Sequence, residues 1–362
     1  MNKKLIKRTS IYLTGVEKLK IMHENKALAK DEVLIKVNSC GICSSDLKFY
    51  FTGSRIKKFP IILGHEISGT IINIDKKSNL KETNKKIVFG AEVACGKCDT
   101  CIKSKEDTNL CDKPTSIGSN YNGGFSNFFI LKKKILKKIP HVIYNSNKEI
   151  KYAALSESLA CIVNGLEITN FKKNNTVAII GVGYMGLLFV GLAKLYGAKK
   201  ILAVDLNKKR LEIAKQLGAT HVFKSSNISQ EKIIKKISNK TKSSSYDVVI
   251  SANGNIKSHE IACSLVGKKG VVNLFGGIPK NLSKKVTIDS NLIHYKQASI
   301  TGSFSSAQSH LNKAFKIIKD KSIDFSKIVT SYANFENFNY KLYQLKKHKE
   351  IKSIFIPNHE KL

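Results

Sequence analysis

At 362 residues the chain is too long for one ordinary hydrophobic core and comfortable as two domains. Its 42% hydrophobic content fits a water-soluble globular protein, no run approaches the roughly 18 uninterrupted apolar residues of a membrane span, and Met1-Asn2-Lys3-Lys4 leads into a short strand rather than a signal segment, so the expected compartment is the cytoplasm. The net charge of +35 would suit a nucleic-acid partner, but its cations are nearly all lysine, with Arg8, Arg55 and Arg210 the only arginines, and they spread along the whole chain; the charge reads as a solvated surface, neither nucleic acid nor membrane is expected as a partner, and a milder consequence is steering of an anionic substrate.

Residues 1 to about 155 alternate short strands, Val33 to Val37 among them, with glycine-rich turns, the pattern of a twisted β-rich domain. Cys40-Gly41-Ile42-Cys43-Ser44-Ser45-Asp46 begins a helix after that strand, and Gly64-His65-Glu66 opens another strand. Taken singly, Cys43 reads as a buried thiol and His65 as a hydrogen-bonded structural histidine. Eight cysteines in such a chain argue for metal over disulfides. Cys95, Cys98 and Cys101 recur at x2 spacing and Cys111 follows after nine residues, so the lobe of about 95–111 can wrap a tetrahedral zinc with no open position, a structural site. An iron–sulfur cluster and a nucleic-acid zinc ribbon are the other readings, although a ribbon pairs two separated CxxC knuckles and this lobe does not.

From about 156 to 297 strand and helix signals alternate: Thr176 to Ile180, Ile201 to Asp205, His221 to Phe223, Asp247 to Ser251 and Val271 to Phe275 as strands, with helices between. That order predicts an α/β fold, a Rossmann-type doubly wound parallel sheet. Gly181-Val182-Gly183-Tyr184-Met185-Gly186 follows the first of these strands, the helix Leu187 to Leu195 follows the glycines, and Asp205 stands 19 residues beyond Gly186. Glycines there permit a tight turn and close approach to a pyrophosphate at a helix N-terminus. Candidate cofactor contacts are thus Gly181, Gly183, Tyr184, Met185, Gly186 and Asp205. A carboxylate at Asp205 accepts from both ribose hydroxyls and repels a 2′-phosphate, which favours NAD; Lys208, Lys209 and Arg210 either begin the amphipathic helix to Leu217 or tolerate NADP, with Arg210 a further candidate contact. Gly254, Gly276 and Gly277 either border the cofactor or serve as turn glycines. The remainder, from about 298 to 362, carries the helical runs Leu311 to Lys319 and Phe338 to Lys346 and a last strand Ile351 to Ile356.

In CGICSSD at Cys40 to Asp46, GHE at Gly64 to Glu66, the four-cysteine lobe, GGFSNFF at Gly123 to Phe129, the glycine fingerprint, Leu274-Phe275-Gly276-Gly277 and Ile300-Thr301-Gly302-Ser303-Phe304, the chain resembles the zinc-containing medium-chain alcohol and polyol dehydrogenases almost end to end. Within them it is most similar to the sorbitol (iditol) dehydrogenase-like branch. The resemblance implies a GroES-like first domain to which the C-terminal stretch returns. It makes Cys43 and His65 ligands of a catalytic zinc and Glu157, in Ser156-Glu157-Ser158-Leu159, a direct or water-bridged third. Glu66 becomes the alternative or exchanging carboxylate, Asp46 the support of the metal site, and Ser45 the hydroxyl that takes the substrate proton. The chain departs from the family at Ser158, usually proline; at Lys48, where many relatives have histidine; in the lobe, where seven residues usually precede the last cysteine; and at Ser305-Ser306, where sorbitol dehydrogenases carry an Arg-Tyr pair.

The chemistry implied is hydride transfer between NAD and a secondary hydroxyl of a polyol, cyclitol or sugar, with zinc lowering the pKa of the alcohol as it does that of water. Phosphorylated or amino-substituted sugar alcohols are the alternative substrates of the same chemistry; a basic zinc-lobe nucleic-acid binder is the alternative of another class. The site is expected in a cleft between the domains, and Glu66 and Glu157 are not expected to bind the metal tightly together once substrate is present, because a second acid would blunt its acidity. The assembly is expected to be a homodimer or homotetramer. The strand after Asn291-Leu292-Ile293-His294-Tyr295-Lys296 would build the interface, with His294 and Tyr295 in packing roles.

Overall fold

The computed structural model describes residues 5–72, 82–104, 108–146, 150–225, 229–243, 245–279, 282–283 and 285–357; the first four residues, part of the expected N-terminal lead, lie outside them. The chain divides into two compact units, one made of Met1–Ala160, Ser305–Lys321 and Val329–Leu362, the other of Cys161–Phe304 and Ser322–Ile328. Among the described residues no helix is long and apolar enough to cross a membrane.

The first unit is built on the strand Glu32–Ile42. Antiparallel partners flank it: Glu66–Ile72 on one side, Phe128–Lys132 along its first half on the other, and Lys352–Phe355 at its end. Its burial is interrupted at Lys36 and Asn38 and is then continuous from Ser39 to Ile42, as a strand covered on both faces requires. The sequence alone starts a helix at Cys40. In the structure Cys40–Ile42 remain extended because they pair with Ser353–Phe355, a partner more than 300 residues away in sequence, while Cys40 and Gly41 also pair with Ile67 and Glu66, and the helix Ser44–Thr52 starts one residue past Cys43. The chain's last strand therefore completes the sheet where the site begins. Phe125, Phe338 and Phe355 lock it there with edge-on contacts at 4.6–5.7 Å between ring centres.

The second unit carries a six-stranded parallel sheet in the order His221–Lys224, Lys200–Asp205, Thr176–Ile180, Tyr246–Ser251, Val266–Leu274, Ser299–Gly302. The three central strands are almost wholly buried and correspondingly rich in Val, Ile and Ala, because helices cover a parallel sheet on both faces. Two expectations shift. The strand read as Val271 to Phe275 begins at Val266, where the glycines and exposed lysines of Gly267-Lys268-Lys269-Gly270 mask it. The sheet also continues through Ser299–Gly302, past residue 297, and among the described residues that last strand has one sheet neighbour. Asn291–Lys296 belongs to a short helix, Ser290–Lys296, before it.

Candidate active site

Cys43 is the last extended residue before the helix Ser44–Thr52, and Asp46 in that helix's first turn accepts from the Cys43 backbone N–H through Oδ2 at 2.9 Å. The other oxygen of Asp46 accepts from the Gly64 N–H at 3.1 Å and faces His65 Nδ1 at 3.6 Å. One fully buried carboxylate thus ties the helix start to the Gly64–His65 turn and orients the imidazole, leaving Nε2 for other work. Ser45 Oγ lies 3.4 Å from that Nε2. Burial works against a charged His65, but the Asp46 carboxylate overrides it and raises the ring's pKa well above the usual range.

Glu66 opens the strand Glu66–Ile72 and directs its carboxylate over Gly41, where a Cβ would come within 1.9 Å of Oε2. Only glycine fits there. Oε1 accepts from Lys352 Nζ at 2.6 Å, both side chains being at most 1% exposed. Oε2 is buried with no hydrogen-bond partner among the described residues. A buried carboxylate oxygen without a donor is costly unless a cation completes it. Cys43, His65 and Glu66 offer ligand atoms all within 4.8 Å of one another, and the sulfur, imidazole and acid donors suit zinc. The residues fit the metal.

Glu157 is not in that close group, but it sits in the first turn of Ser156–Glu157's helix, Ser156–Glu167, only 5% exposed, and its carboxyl senses the same centre. Burial pushes its pKa up to about 7, with the charge of His65 pulling down and that of Glu66 pushing up further. Ser158, in place of a proline, is held by a bond from its hydroxyl to Leu155 O at 3.2 Å, so the turn is tethered without the ring. Ser306 is 3% exposed and its hydroxyl has no partner among the described residues.

The four lobe cysteines also converge within 4.8 Å, around a short helix Asp99–Lys103. All eight cysteines are free thiols. The Lys97 N–H bonded to Cys95 lowers that thiol to about 6, which favours the thiolate a metal needs.

In the second unit, Gly181 has φ +90° and a Cβ on it would strike the Asn253 amide at 2.4 Å; on Gly186 it would lie 2.0 Å from Gly181 O. Both glycines are therefore steric necessities of the turn. Gly183 caps the helix Tyr184–Leu195 without a side-chain bond, and Tyr184 and Met185 lie half-buried in its first turn, earlier than the expected start at Leu187. Asp205 ends its strand with Oδ2 accepting from Val182 N and Oδ1 from Asn207 N, both at 2.8 Å. The Arg210 guanidinium comes to 3.9 Å from where a Gly183 Cβ would be. Fingerprint, acid and arginine are thus gathered at one helix N-terminus. Gly254 and Gly276 are tightly packed: a Cβ would meet Gly277 O at 2.3 Å and the Asn253 backbone at 2.2 Å respectively.

Lys352 is the site residue that sequence reasoning missed. The available signal was a lone lysine inside the apolar run Ile351-Lys352-Ser353-Ile354-Phe355-Ile356. Replacing it by methionine strands the Glu66 charge, so Lys352→Met is expected to lose about 3–5 kcal/mol in urea unfolding while Lys352→Arg keeps most of it; an unchanged midpoint for Lys352→Met would show the pair to be dispensable.

Comparison with known proteins finds two family domains in the chain. Residues 29–141 match the alcohol dehydrogenase GroES-like domain and residues 185–320 the zinc-binding dehydrogenase domain. A zinc-type alcohol dehydrogenase-like protein of Haemophilus influenzae is 31% identical over 324 residues, covering 88% of this chain and 89% of that protein. The sorbitol dehydrogenase of Bacillus subtilis is 29% identical over 311 residues, 84% of each chain. The crystal structure of an alcohol dehydrogenase from Thermotoga maritima superposes with a TM-score of 0.85 at 22% identity, over 98% of this chain and 100% of that one. The chain belongs to the zinc-type alcohol dehydrogenase family, oxidoreductases that use zinc and a nicotinamide cofactor.

Proposed function

We propose that the protein transfers a hydride between NAD and a secondary hydroxyl of a polyol, cyclitol or sugar. The observation that carries this reading is the convergence of Cys43, His65 and Glu66 with one buried Glu66 oxygen left without a donor. Zinc held by Cys43, His65 and the carboxylate of Glu66 or Glu157 would supply Lewis acidity that brings the pKa of a substrate hydroxyl toward neutrality. Asp46 holds the His65 ring by its Nδ1 side. Ser45, beside Nε2 and half-buried, accepts the substrate's proton, and exposed Lys48 lies one helical turn on, toward water. Lys352 keeps one Glu66 oxygen occupied, so that Glu66 has a single free oxygen for the metal. The polyol assignment draws support from the sorbitol dehydrogenase relative. Eight free thiols fit a reducing compartment, the cytoplasm.

Asp205 favours NAD, because its fixed carboxylate would lie against a 2′-phosphate. A second copy of the chain is proposed to cover the sheet edge Ser299–Gly302, where Tyr295 is 77% and Phe304 45% exposed, since an uncovered edge strand with apolar neighbours invites pairing.

Three measurements check these assignments. Xylitol, D-sorbitol, myo-inositol and sugar phosphates, followed at the NADH absorbance band, should include at least one neutral polyol that is oxidised, and Cys43→Ala should lower its kcat/KM at least about 100-fold, or about 2.7 kcal/mol; unchanged activity in that variant removes the metal assignment, and turnover of the phosphates alone moves the substrate to the phosphorylated class. NAD should be preferred over NADP, with Asp205→Ser cutting that ratio at least about 10-fold; a wild-type preference for NADP contradicts the reading of Asp205. Light scattering should give two or four chains of 40.2 kDa, and Ile300→Lys should shift the mass downward; a monomeric wild type refutes the interface.

A further inference from the structure

A carboxylate that the mechanism leaves unused lies on a strand whose neighbours pack against the Gly64–His65 turn. Glu92 lies on the two-residue strand Glu92–Val93, opposite Ser116 on the strand Thr115–Ser116. Short contacts attach this pair to the site. Ile117 N donates to Ala91 O at 3.1 Å, and Gly118 lies so near the Gly64 turn that a Cβ on it would come within 3.1 Å of Gly64 N. His65 is the next residue. Glu92 is accordingly among the charges that act on Glu157, and His65 among those that act on Glu92.

The carboxylate is half-buried and takes a hydrogen bond from the Ser116 side chain, and no salt bridge joins it to a cation among the described residues. Arg55, in the segment after the helix Ser44–Thr52, is close enough for its charge to be felt. An ionised carboxylate has about four acceptor positions, so most of those on Glu92 remain for water or for a bound molecule. The signs at hand select the class of that molecule. The acid disfavours a phosphate, the guanidinium disfavours an ammonium, and a neutral hydroxyl suits both.

We propose that Glu92 is a specificity-determining residue whose carboxylate accepts a hydrogen bond from the hydroxyl adjacent to the carbon being oxidised, so that the protein takes vicinal diols in preference to simple secondary alcohols. The proposal rests on the dehydrogenase reading above. A mono-alcohol in the same position covers the carboxylate without giving it a donor, and sites built for a hydroxyl reject such analogues strongly.

The test compares kcat/KM for xylitol, D-sorbitol and 2,3-butanediol with that for 2-butanol, in the zinc-loaded wild type, Glu92→Ala and Glu92→Gln. The wild type should favour at least one of the three hydroxylated substrates over 2-butanol. In Glu92→Ala that preference should fall about 10- to 100-fold, entering chiefly through KM, and in Glu92→Gln, which still offers an acceptor oxygen, it should fall less. A preference retained in Glu92→Ala, or an equal fall for all four substrates, overturns the role of Glu92 while leaving the dehydrogenase reading intact. Failure of the wild type to oxidise any of the four overturns the vicinal-diol proposal, and the dehydrogenase reading falls with it only when myo-inositol and the sugar phosphates are inert as well.

Discussion

The buried ion pair between Glu66 and Lys352 is the interaction on which the metal-binding end of the first unit depends. Two charges in a site at most 1% exposed are expensive to desolvate, and each is tolerable only because the other is there. The pair joins residue 66 to residue 352, and so the last strand of the chain to the Gly64–Glu66 turn. It also divides the labour of one side chain: the oxygen toward Lys352 is spent on structure, and the one over Gly41 is free. A larger residue at position 41 would close that space.

Asp46 plays the corresponding part on the other side of the group. It bonds to Cys43 N and Gly64 N and faces His65 Nδ1, so the two elements that carry sulfur and imidazole cannot move independently. Both devices follow one rule: each donor atom is aimed by a second polar group that has its own reason to stay in place. In the second unit Asp205 works alike, held by Val182 N and Asn207 N.

A chain with a net charge of +35 buries Asp46, Glu66 and Glu157, three of its 27 acids, in its first unit. Among the described residues Lys352 is the one lysine that is buried. A metal cation and neutral, hydroxyl-rich substrates are the partners that such an interior suits, whereas the outer surface governs only longer-range steering.

Much of this was legible in the chain's own order. Glycine spacing at 181–186 with an acid at 205, cysteines at 95, 98, 101 and 111, and alternating strand and helix signals are local patterns, and local sterics or ligand spacing dictate their meaning. The strand limits at Thr176–Ile180 and the helix Phe338–Lys346 were readable for the same reason. The remaining choices rest on contacts between residues far apart. Cys40–Ile42 stay extended because residues 353–355 on one side and 66–67 on the other pair with them; Glu66 rather than Glu157 joins the close group, over Gly41, which leaves room above the strand; Lys352 reaches Glu66 because the last strand folds back beside it. The sequence by itself determined which chemistries its residues can perform and where several of its regular elements lie. Only the tertiary structure decided which of several carboxylates meet the sulfur and the imidazole, because that depends on through-space packing and on the cost of burying charge, neither of which is a property of neighbouring residues.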